Sequence, residues 1–150
     1  RKLGFEFNFS DEHGQFHQIQ IEGYADRIDV KPNTASLAIL DYKHQSREKV
    51  LERGTQLMDD PQLLLYAKAL STQGSIEQLD WISLKMNLKK KGADQRSVGI
   101  TEIPLAMQQL DAQLQNDLGS VWSGGTMQAF APESTCRYCD ARGICRKGMW

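Results

Sequence analysis

Alternating apolar and polar side chains mark the first part of the chain as a pair of β-strands. Apolar residues occupy every second position from Leu3 to Phe9, and His17, Ile19 and Ile21 share one face after the turn sequence at 11–14. Successive side chains of a strand point to opposite faces, so each segment presents one apolar face. The pattern therefore predicts a β-hairpin.

The alternation continues beyond the hairpin and indicates a third strand. The second strand is predicted to run through a bend at Gly23 to Val30, and a Lys-Pro-Asn turn leads into a segment from Ala35 to Lys43. Proline and asparagine favour turns because of their restricted or left-handed backbone conformations. We therefore expect the sheet to open as an antiparallel meander of three strands.

The apolar pattern then changes to the period of a helix. Asp59 or Asp60 is suited to the N-cap and Pro61 to the first turn. The apolar stripe of this helix consists of Leu63, Leu64, Ala67 and Leu70. Gln62 and Tyr66 lie four positions apart, so they are neighbours on one helix face.

Two further helices and one or two further strands complete the predicted elements. They are a short helix around Arg47–Arg53, a strand at Leu79–Leu88, an apolar segment at Val98–Ile100, and a long helix from Pro104 to Gly124-Gly125. Strands interleaved with helices predict an α/β fold. We expect a mixed sheet of four to five strands, opening with the antiparallel meander and flanked by helices.

Composition is that of an ordinary globular protein. Of the 150 residues, 40% are hydrophobic and 25% are charged, and the formal net charge is −1. This balance excludes a global basic field for nucleic acid. No apolar run approaches the roughly 20 residues that span a bilayer, and the start does not resemble a signal peptide. We expect a cytoplasmic protein with no membrane partner.

Basic residues are nevertheless concentrated in two places. The first cluster comprises Lys85, Lys89, Lys90, Lys91 and Arg96, and the second comprises Arg137, Arg142, Arg146 and Lys147. Each cluster is either a solvated surface or a contact for DNA phosphates. The sequence leaves both interpretations open.

The third strand ends with an acid and a base on one face. Asp41 and Lys43 are two residues apart, so both point to the face of Ile39. Antiparallel pairing would place Asp26 opposite roughly Leu40, within a residue or so of Asp41. Two close carboxylates repel unless a cation lies between them, and Mg²⁺ prefers oxygen ligands. A metal site and an ordinary ion pair at a strand end are the two interpretations.

These residues together resemble a known enzyme family. The order Gly-x-x-Asp, Asp-Tyr-Lys and Gln-x-x-x-Tyr is similar to the motifs of the PD-(D/E)xK nuclease superfamily, and most similar to the RecB/AddB-type nuclease domains. The resemblance implies a restriction-endonuclease-like core. Asp29 matches a further acid of the motif Gly-x-x-Asp-Arg-x-Asp, and we expect it to support the site without binding metal.

The resemblance also implies a role for each matching residue. Asp26 and Asp41, together with the backbone carbonyl of Tyr42, match the ligands of Mg²⁺ or Mn²⁺, and Lys43 matches the catalytic lysine. The helix residues Gln62 and Tyr66 match a pair that braces the site and contacts DNA.

All three cysteines lie close together near the end of the chain. Their odd number and crowding argue against a disulfide framework and for a metal site in a reducing compartment. Cys136, Cys139 and Cys145 resemble the C-terminal cysteines of AddB-type nucleases, where a fourth cysteine completes a [4Fe–4S] cluster. The cluster would be incomplete within this chain. A zinc-binding interaction module and inert thiols are the alternatives.

The family likeness implies Mg²⁺-dependent hydrolysis of DNA in double-strand break repair, with a helicase domain or subunit as partner. We expect a partial nuclease core at 1–130 and a cysteine-rich tail at 131–150. Because the family usually has another acid or histidine on a helix before the first strand, we interpret the chain as N-terminally truncated and expect weak or no activity from it alone. A catalytically inactive DNA-binding or scaffold domain is the alternative.

Overall fold

Two β-sheets and three helices make up the described part of the protein. A computed structural model describes residues 1–55, 57–85, 97–126, 136–137, 139–140 and 145. In chain order the elements are β1 (Lys2–Ser10), β2 (Phe16–Tyr24), β3 (Arg27–Val30), β4 (Leu37–Lys43), α1 (Arg47–Thr55), α2 (Gln62–Leu70), β5 (Ile76–Ser83), β6 (Ser97–Gly99) and α3 (Ile103–Trp122). The predicted α/β fold is confirmed.

The larger sheet is mixed and has four strands. Its order is β3-β4-β5-β6, in which β4 and β5 are parallel and the two outer pairs are antiparallel. A parallel pair needs a crossover connection, which α1 and α2 form between β4 and β5. The hairpin of β1 and β2 forms a separate antiparallel sheet.

The predicted three-stranded meander is wrong, because its middle strand is in fact two strands in different sheets. β2 ends at Tyr24, and β3 begins at Arg27 in the larger sheet. The N–H of Ala25 donates to the carbonyl of Arg1 at 2.9 Å, and the amino group of Arg1 donates to the carbonyl of Ala25 at 2.7 Å. These bonds extend the smaller sheet by one residue, after which the chain bends at Asp26.

The core lies between one face of the larger sheet and the helices α2 and α3. On β4 and β5 the buried residues of this face are Leu37, Ile39, Leu79 and Trp81. The helices contribute Leu63, Leu64, Ala67, Leu70, Ile103, Ala106 and Leu110. All four residues of the stripe predicted for α2 are among them, so that prediction is confirmed. Burying a large apolar side chain contributes about 1.5–3 kcal/mol, so the stripe holds this helix against the sheet.

The start of α2 differs from the prediction of an aspartate cap. Pro61 occupies the N-cap position, and no side-chain hydrogen bond caps the helix within the described residues. The carboxylate of Asp60 instead forms an ion pair with Arg53 of α1, because a charged donor attracts it more strongly than a neutral backbone N–H. Arg53 also donates to the side chain of Gln45, two residues after β4, at 2.9 Å. These contacts tie α1 and α2 to the end of β4.

Helix α3 holds the hairpin at the end that lies away from Tyr24. The ring of Trp122 lies 5.2 Å from that of Phe9, centroid to centroid, in an edge-to-face contact. It lies 5.7 Å from the ring of His17. The hairpin is thus anchored at one end by aromatic packing, and at the other end it leads into β3.

Several predictions concern residues outside the described ranges. These are residues 86–88 of the predicted fourth strand, the basic loop at 89–96, the domain boundary near 130 and most of the tail. Among the described residues that strand ends earlier than predicted, at Ser83. Of the two basic clusters, the structure describes Lys85 and Arg137. In the ranges that it does describe, no helix combines the length and the apolar character needed to cross a bilayer.

Candidate active site

β4 ends with Asp41 and Lys43 on one face of the larger sheet, as predicted. Asp41 is 3% exposed, and its partner across the ladder is the fully buried Trp81 of β5. The ammonium nitrogen Nζ of Lys43 lies 2.7 Å from Oδ2 of Asp41. An acid is therefore held at the edge of the core with a cation beside it.

The bend after β2 brings a second acid to the same place. Arg27 pairs with Leu40 in the ladder of β3 and β4, so Asp26 comes level with Asp41. This is one residue from the predicted register. Oδ2 of Asp26 accepts a hydrogen bond from the backbone N–H of Tyr42 at 2.9 Å. The bond joins the first acid to the end of β4.

Gln62 and Tyr66 of α2 connect Lys43 to the end of β2. Lys43 Nζ donates to Oε1 of Gln62 at 2.6 Å, and Nε2 of Gln62 donates to the hydroxyl of Tyr66 at 2.8 Å. That hydroxyl donates to the backbone carbonyl of Tyr24 at 2.6 Å. Only one orientation of the Gln62 amide lets every donor meet an acceptor, so the chain of bonds fixes it.

These hydrogen bonds form a ring around the candidate site. From Lys43 the ring passes through the two side chains of α2 to the carbonyl of Tyr24. Asp26 follows two residues later and binds the N–H of Tyr42, which precedes Lys43. Helix α2 thus holds the backbone that carries Asp26 as well as the lysine.

Gly23 is part of the site, although its role was not predicted from the sequence. We predicted a bend there, but β2 continues to Tyr24. A Cβ atom on Gly23 would lie 2.9 Å from Cε1 of Tyr66, well inside the usual carbon contact distance of about 3.5–4.0 Å. The glycine lets the tyrosine ring pass β2 and reach its carbonyl partner. Glycine inside an alternating strand indicates such a close approach, and this signal could have identified it.

Asp60 is a further acid near the site that was predicted only as a possible helix cap. Its negative charge acts on Asp41 and favours the protonated form of that carboxyl. Its own carboxylate is paired with the guanidinium of Arg53. The ion pair therefore controls how much negative charge surrounds Asp41.

The surroundings of Asp41 suit a bound cation. Burial raises the pKa of Asp41, the neighbouring Lys43 opposes the increase, and the charges of Asp26 and Asp60 add to it. Lys43 lies within ion-pair distance, yet Oδ2 of Asp41 accepts no well-oriented hydrogen bond from the residues described. A buried carboxylate in this state gains from a second positive charge.

Oxygen atoms are the donors that could hold a metal here. They belong to the carboxylates of Asp26 and Asp41 and to the backbone carbonyl of Tyr42, which stands next to Asp41. Within the described ranges, no group of three or more His, Cys, Asp and Glu side chains could hold a metal ion by itself. A site with two carboxylates fits Mg²⁺, which keeps several of its waters, better than a closed structural zinc site.

Asp29 lies on the opposite face of the β3–β4 pair. Its Oδ1 accepts a hydrogen bond from Nε of Arg27 at 2.9 Å, and its Oδ2 lies 2.8 Å from Nη2 of the same guanidinium. Nη1 of Arg27 donates to the hydroxyl of Tyr42 at 3.4 Å. Asp29 therefore neutralises an arginine beside the site rather than facing Asp41.

The structure describes all three cysteines but few of the residues around them in the tail. The N–H of Cys139 donates to the carbonyl of Cys136 at 3.4 Å, and Cys145 is exposed. Among the residues that can be described, the cysteines form neither a disulfide nor a metal-binding group. The predicted iron–sulfur site gains no support from this part of the structure.

Comparison with protein families agrees with the geometry of the site. A model of the PD-(D/E)XK nuclease superfamily matches residues 1–146, a range that includes both acids, the lysine and the helix pair. The chain belongs to the PD-(D/E)XK nuclease superfamily. Members of this superfamily are typically nucleases that use Mg²⁺ or Mn²⁺. No curated protein and no solved structure shows significant similarity to the chain.

Proposed function

We propose that this protein is a Mg²⁺-dependent deoxyribonuclease that hydrolyses DNA phosphodiesters. Its active site would contain Asp26, Asp41 and Lys43. The observation that carries the proposal is that Asp26, in the bend before β3, comes level with the buried Asp41 of β4, which is paired with Lys43. A site for ordinary packing would not place a second acid beside a buried one. Membership of a nuclease superfamily supports the same conclusion.

Asp26, Asp41 and the carbonyl of Tyr42 would hold the cation. When bound, the cation supplies Lewis acidity toward the scissile phosphate and toward water. The contribution of the chain is to hold both carboxylates in place before the substrate arrives. The β3–β4 ladder and the bond from the N–H of Tyr42 to Asp26 provide this preorganisation.

Lys43 would place a fixed positive charge beside the phosphate. Its Nζ lies 2.7 Å from Oδ2 of Asp41 and 2.6 Å from Oε1 of Gln62, so an ion pair and a hydrogen bond restrain it. A restrained ammonium group can stabilise the negative charge that develops on the phosphate and can orient the attacking water. Gln62 and Tyr66 are positioning residues, because they act through Lys43 and through the backbone of Tyr24.

We also propose the cellular context that the motifs suggest. The protein would be the nuclease domain of a helicase–nuclease, or a related repair exonuclease in the cytoplasm, with a helicase as partner. The basic clusters described above would contact DNA phosphates. A [4Fe–4S] cluster held by Cys136, Cys139 and Cys145 with an upstream cysteine stays a prediction, which iron and acid-labile sulfide analysis of a longer chain tests.

DNA cleavage with protein in excess over labelled linear DNA tests the proposal, because this design also detects slow hydrolysis. We expect slow Mg²⁺-dependent cleavage by the wild-type chain, and a rate at least about a hundredfold lower for Lys43→Ala. Lys31→Ala is the matched control, since Lys31 forms an ion pair with Glu77 at 2.8 Å outside the ring of the site.

Cleavage that persists in Lys43→Ala, or that continues after chelation of the metal, would contradict the proposed mechanism. DNA binding without cleavage in Mg²⁺ or Mn²⁺, both by this chain and by a longer chain that includes the upstream helix, would instead favour an inactive scaffold.

A further inference from the structure

A groove lies between the hairpin and α2, next to the candidate active site. Its volume is about 340 Å³, near the lower end of the range of ligand pockets, about 300–1,000 Å³. The apolar side chains of Phe5, Ile21, Leu65 and Ala69 line it. The groove has room for one planar aromatic group and is too small for a double helix.

The groove and the active site share a wall. Gln62 and Tyr66 line the groove, and their polar groups form the hydrogen-bond chain that begins at Lys43. Only the side chain of Gln62 separates Lys43 from the groove along this chain. A DNA strand with a phosphate at Lys43 could therefore place a neighbouring base in the groove.

The charged groups that line the groove are acids. They are Asp60 and Glu22, which form ion pairs with Arg53 and Lys2. Lys and Arg are absent from the lining among the residues described. Phosphates are repelled by carboxylates, so this groove does not suit the DNA backbone. An uncharged aromatic ring meets no such repulsion.

The half-buried ring of Phe5 in the lining offers a stacking surface, and the ammonium group of Lys68 lies 5.7 Å from its centroid. The ring of Tyr66 is 7% exposed and belongs to the wall of the groove, where its hydroxyl remains bonded to Tyr24. Bases stack on aromatic side chains with little dependence on their sequence, because every base has a π-face. A groove that is apolar and aromatic, yet carries acids at its edge, therefore matches a base better than any other part of a nucleotide.

We propose that this groove binds an unstacked nucleobase of the DNA strand whose phosphate lies at Lys43. The choice of DNA as ligand rests on the proposed function. A base inside a duplex must first lose its pairing and stacking, which costs free energy. The enzyme should therefore favour single-stranded DNA or unpaired ends.

Binding of two single strands that differ only in their bases tests this inference. One oligonucleotide is ordinary DNA, and the other has the same length and phosphates but consists of abasic nucleotides. Fluorescence anisotropy gives both dissociation constants, with Ca²⁺ in place of Mg²⁺ to prevent cleavage. We expect the wild-type chain to bind the ordinary strand about tenfold more tightly.

Two variants assign this difference to the groove. Ala69→Leu fills the groove, and Phe5→Leu removes a ring while keeping the site apolar. Each should reduce the preference for the ordinary strand to about twofold or less and leave the affinity for the abasic strand unchanged. Thr72→Leu adds an apolar side chain at an exposed position just after α2 and should behave like the wild type. Thermal unfolding checks that each variant is folded, and Phe5→Leu decides the question if Ala69→Leu is not.

Equal affinity of the wild-type chain for both strands would overturn the inference. The inference would also be overturned if both groove variants kept the preference for the ordinary strand. The base contacts would then lie elsewhere, or the groove would bind another ligand. Parallel Mg²⁺ cleavage assays keep the two proposals separate. Cleavage that depends on Lys43 without a preference for bases contradicts only the groove, whereas base-dependent binding without cleavage contradicts only the nuclease activity.

Discussion

The hydroxyl of Tyr66 donates a hydrogen bond of 2.6 Å to the backbone carbonyl of Tyr24, which lies 42 residues earlier in the chain. Since Asp26 follows Tyr24 by two residues, this bond links a helix to the strand end that carries the first acid of the site. It gives a physical reason why a tyrosine on a helix occurs together with the acids of the candidate site. The tyrosine holds the backbone from which one of them projects.

Tyr66→Phe tests this link directly. The substitution removes the hydroxyl and leaves the Tyr24 carbonyl and the Gln62 amide without their partner, which costs about 1–3 kcal/mol. We expect a lower free energy of unfolding and an Mg²⁺ concentration for half-maximal cleavage about tenfold higher, because Asp26 is less well restrained. Tyr24→Phe is the control, since Tyr24 contributes its backbone and its side chain is 69% exposed. An unchanged Mg²⁺ requirement in Tyr66→Phe would show that the helix does not position the acid.

Gly23→Ala should impair the site through the ring of Tyr66. The new methyl group would meet Cε1 of Tyr66 at 2.9 Å, so the ring must move away from its carbonyl partner. We expect kcat/KM for DNA cleavage to fall about tenfold, as small displacements of positioned groups commonly cost more than that. In a Tyr66→Ala background the same substitution meets no ring and should add little further loss. The same loss in both backgrounds would rule out the steric explanation.

Asp41→Asn should change how stability depends on pH in the metal-free protein. Burial raises the pKa of Asp41 above its ordinary value of 3.8. The folded state therefore binds this proton more tightly than the unfolded state. The resulting stabilisation is present below pH 3.8 and is lost as the pH rises through the raised pKa.

Urea unfolding with EDTA between about pH 4 and about pH 8 measures this dependence. Relative to the wild type, the asparagine variant should gain stability as the pH rises, because it has no proton to lose. Asp29→Asn, which alters an aspartate outside the ring, controls for the loss of a negative charge. A wild type that instead gains stability relative to Asp41→Asn with increasing pH would contradict the direction assigned to this pKa.

Arg53→Met should shift the pH dependence of cleavage. Arg53 neutralises Asp60, whose charge contributes to the raised pKa of Asp41. Without the guanidinium, Asp60 repels Asp41 more strongly, so a higher pH is needed to ionise Asp41, the carboxylate proposed to bind the metal. We expect the acidic limb of the pH–rate profile to move upward, and Arg53→Lys to shift it less. An unmoved profile would show that Asp60 and Asp41 are not coupled.

The sequence predicted the local patterns of the site well because strand and helix periods determine them. The shared face of Asp41 and Lys43 follows from the period of a strand, and that of Gln62 and Tyr66 from the period of a helix. Pairing about one short turn placed Asp26 to within one residue of its observed register. These are short-range relationships, which depend on few neighbouring residues.

The missed features depend on contacts that are distant in sequence. The break after β2 involves bonds between Ala25 and Arg1, and the need for glycine at position 23 comes from a tyrosine ring on α2. Asp60 looked like a helix cap because the competing guanidinium of Arg53 belongs to another helix. No periodic pattern records such partners, since they meet only after the sheets and helices have packed.

Binding of a divalent cation separates a metal site from an ordinary ion pair between Asp41 and Lys43. Electron paramagnetic resonance during a titration with Mn²⁺ measures the free cation, gives the bound cation by difference, and needs neither DNA nor turnover. We expect a single Mn²⁺ on each wild-type chain, displaced by Mg²⁺, lost in Asp41→Asn and retained in Asp29→Asn. Absence of bound Mn²⁺ on the wild-type chain, or equal binding by Asp41→Asn, would contradict the assignment of Asp26 and Asp41 as the cation site.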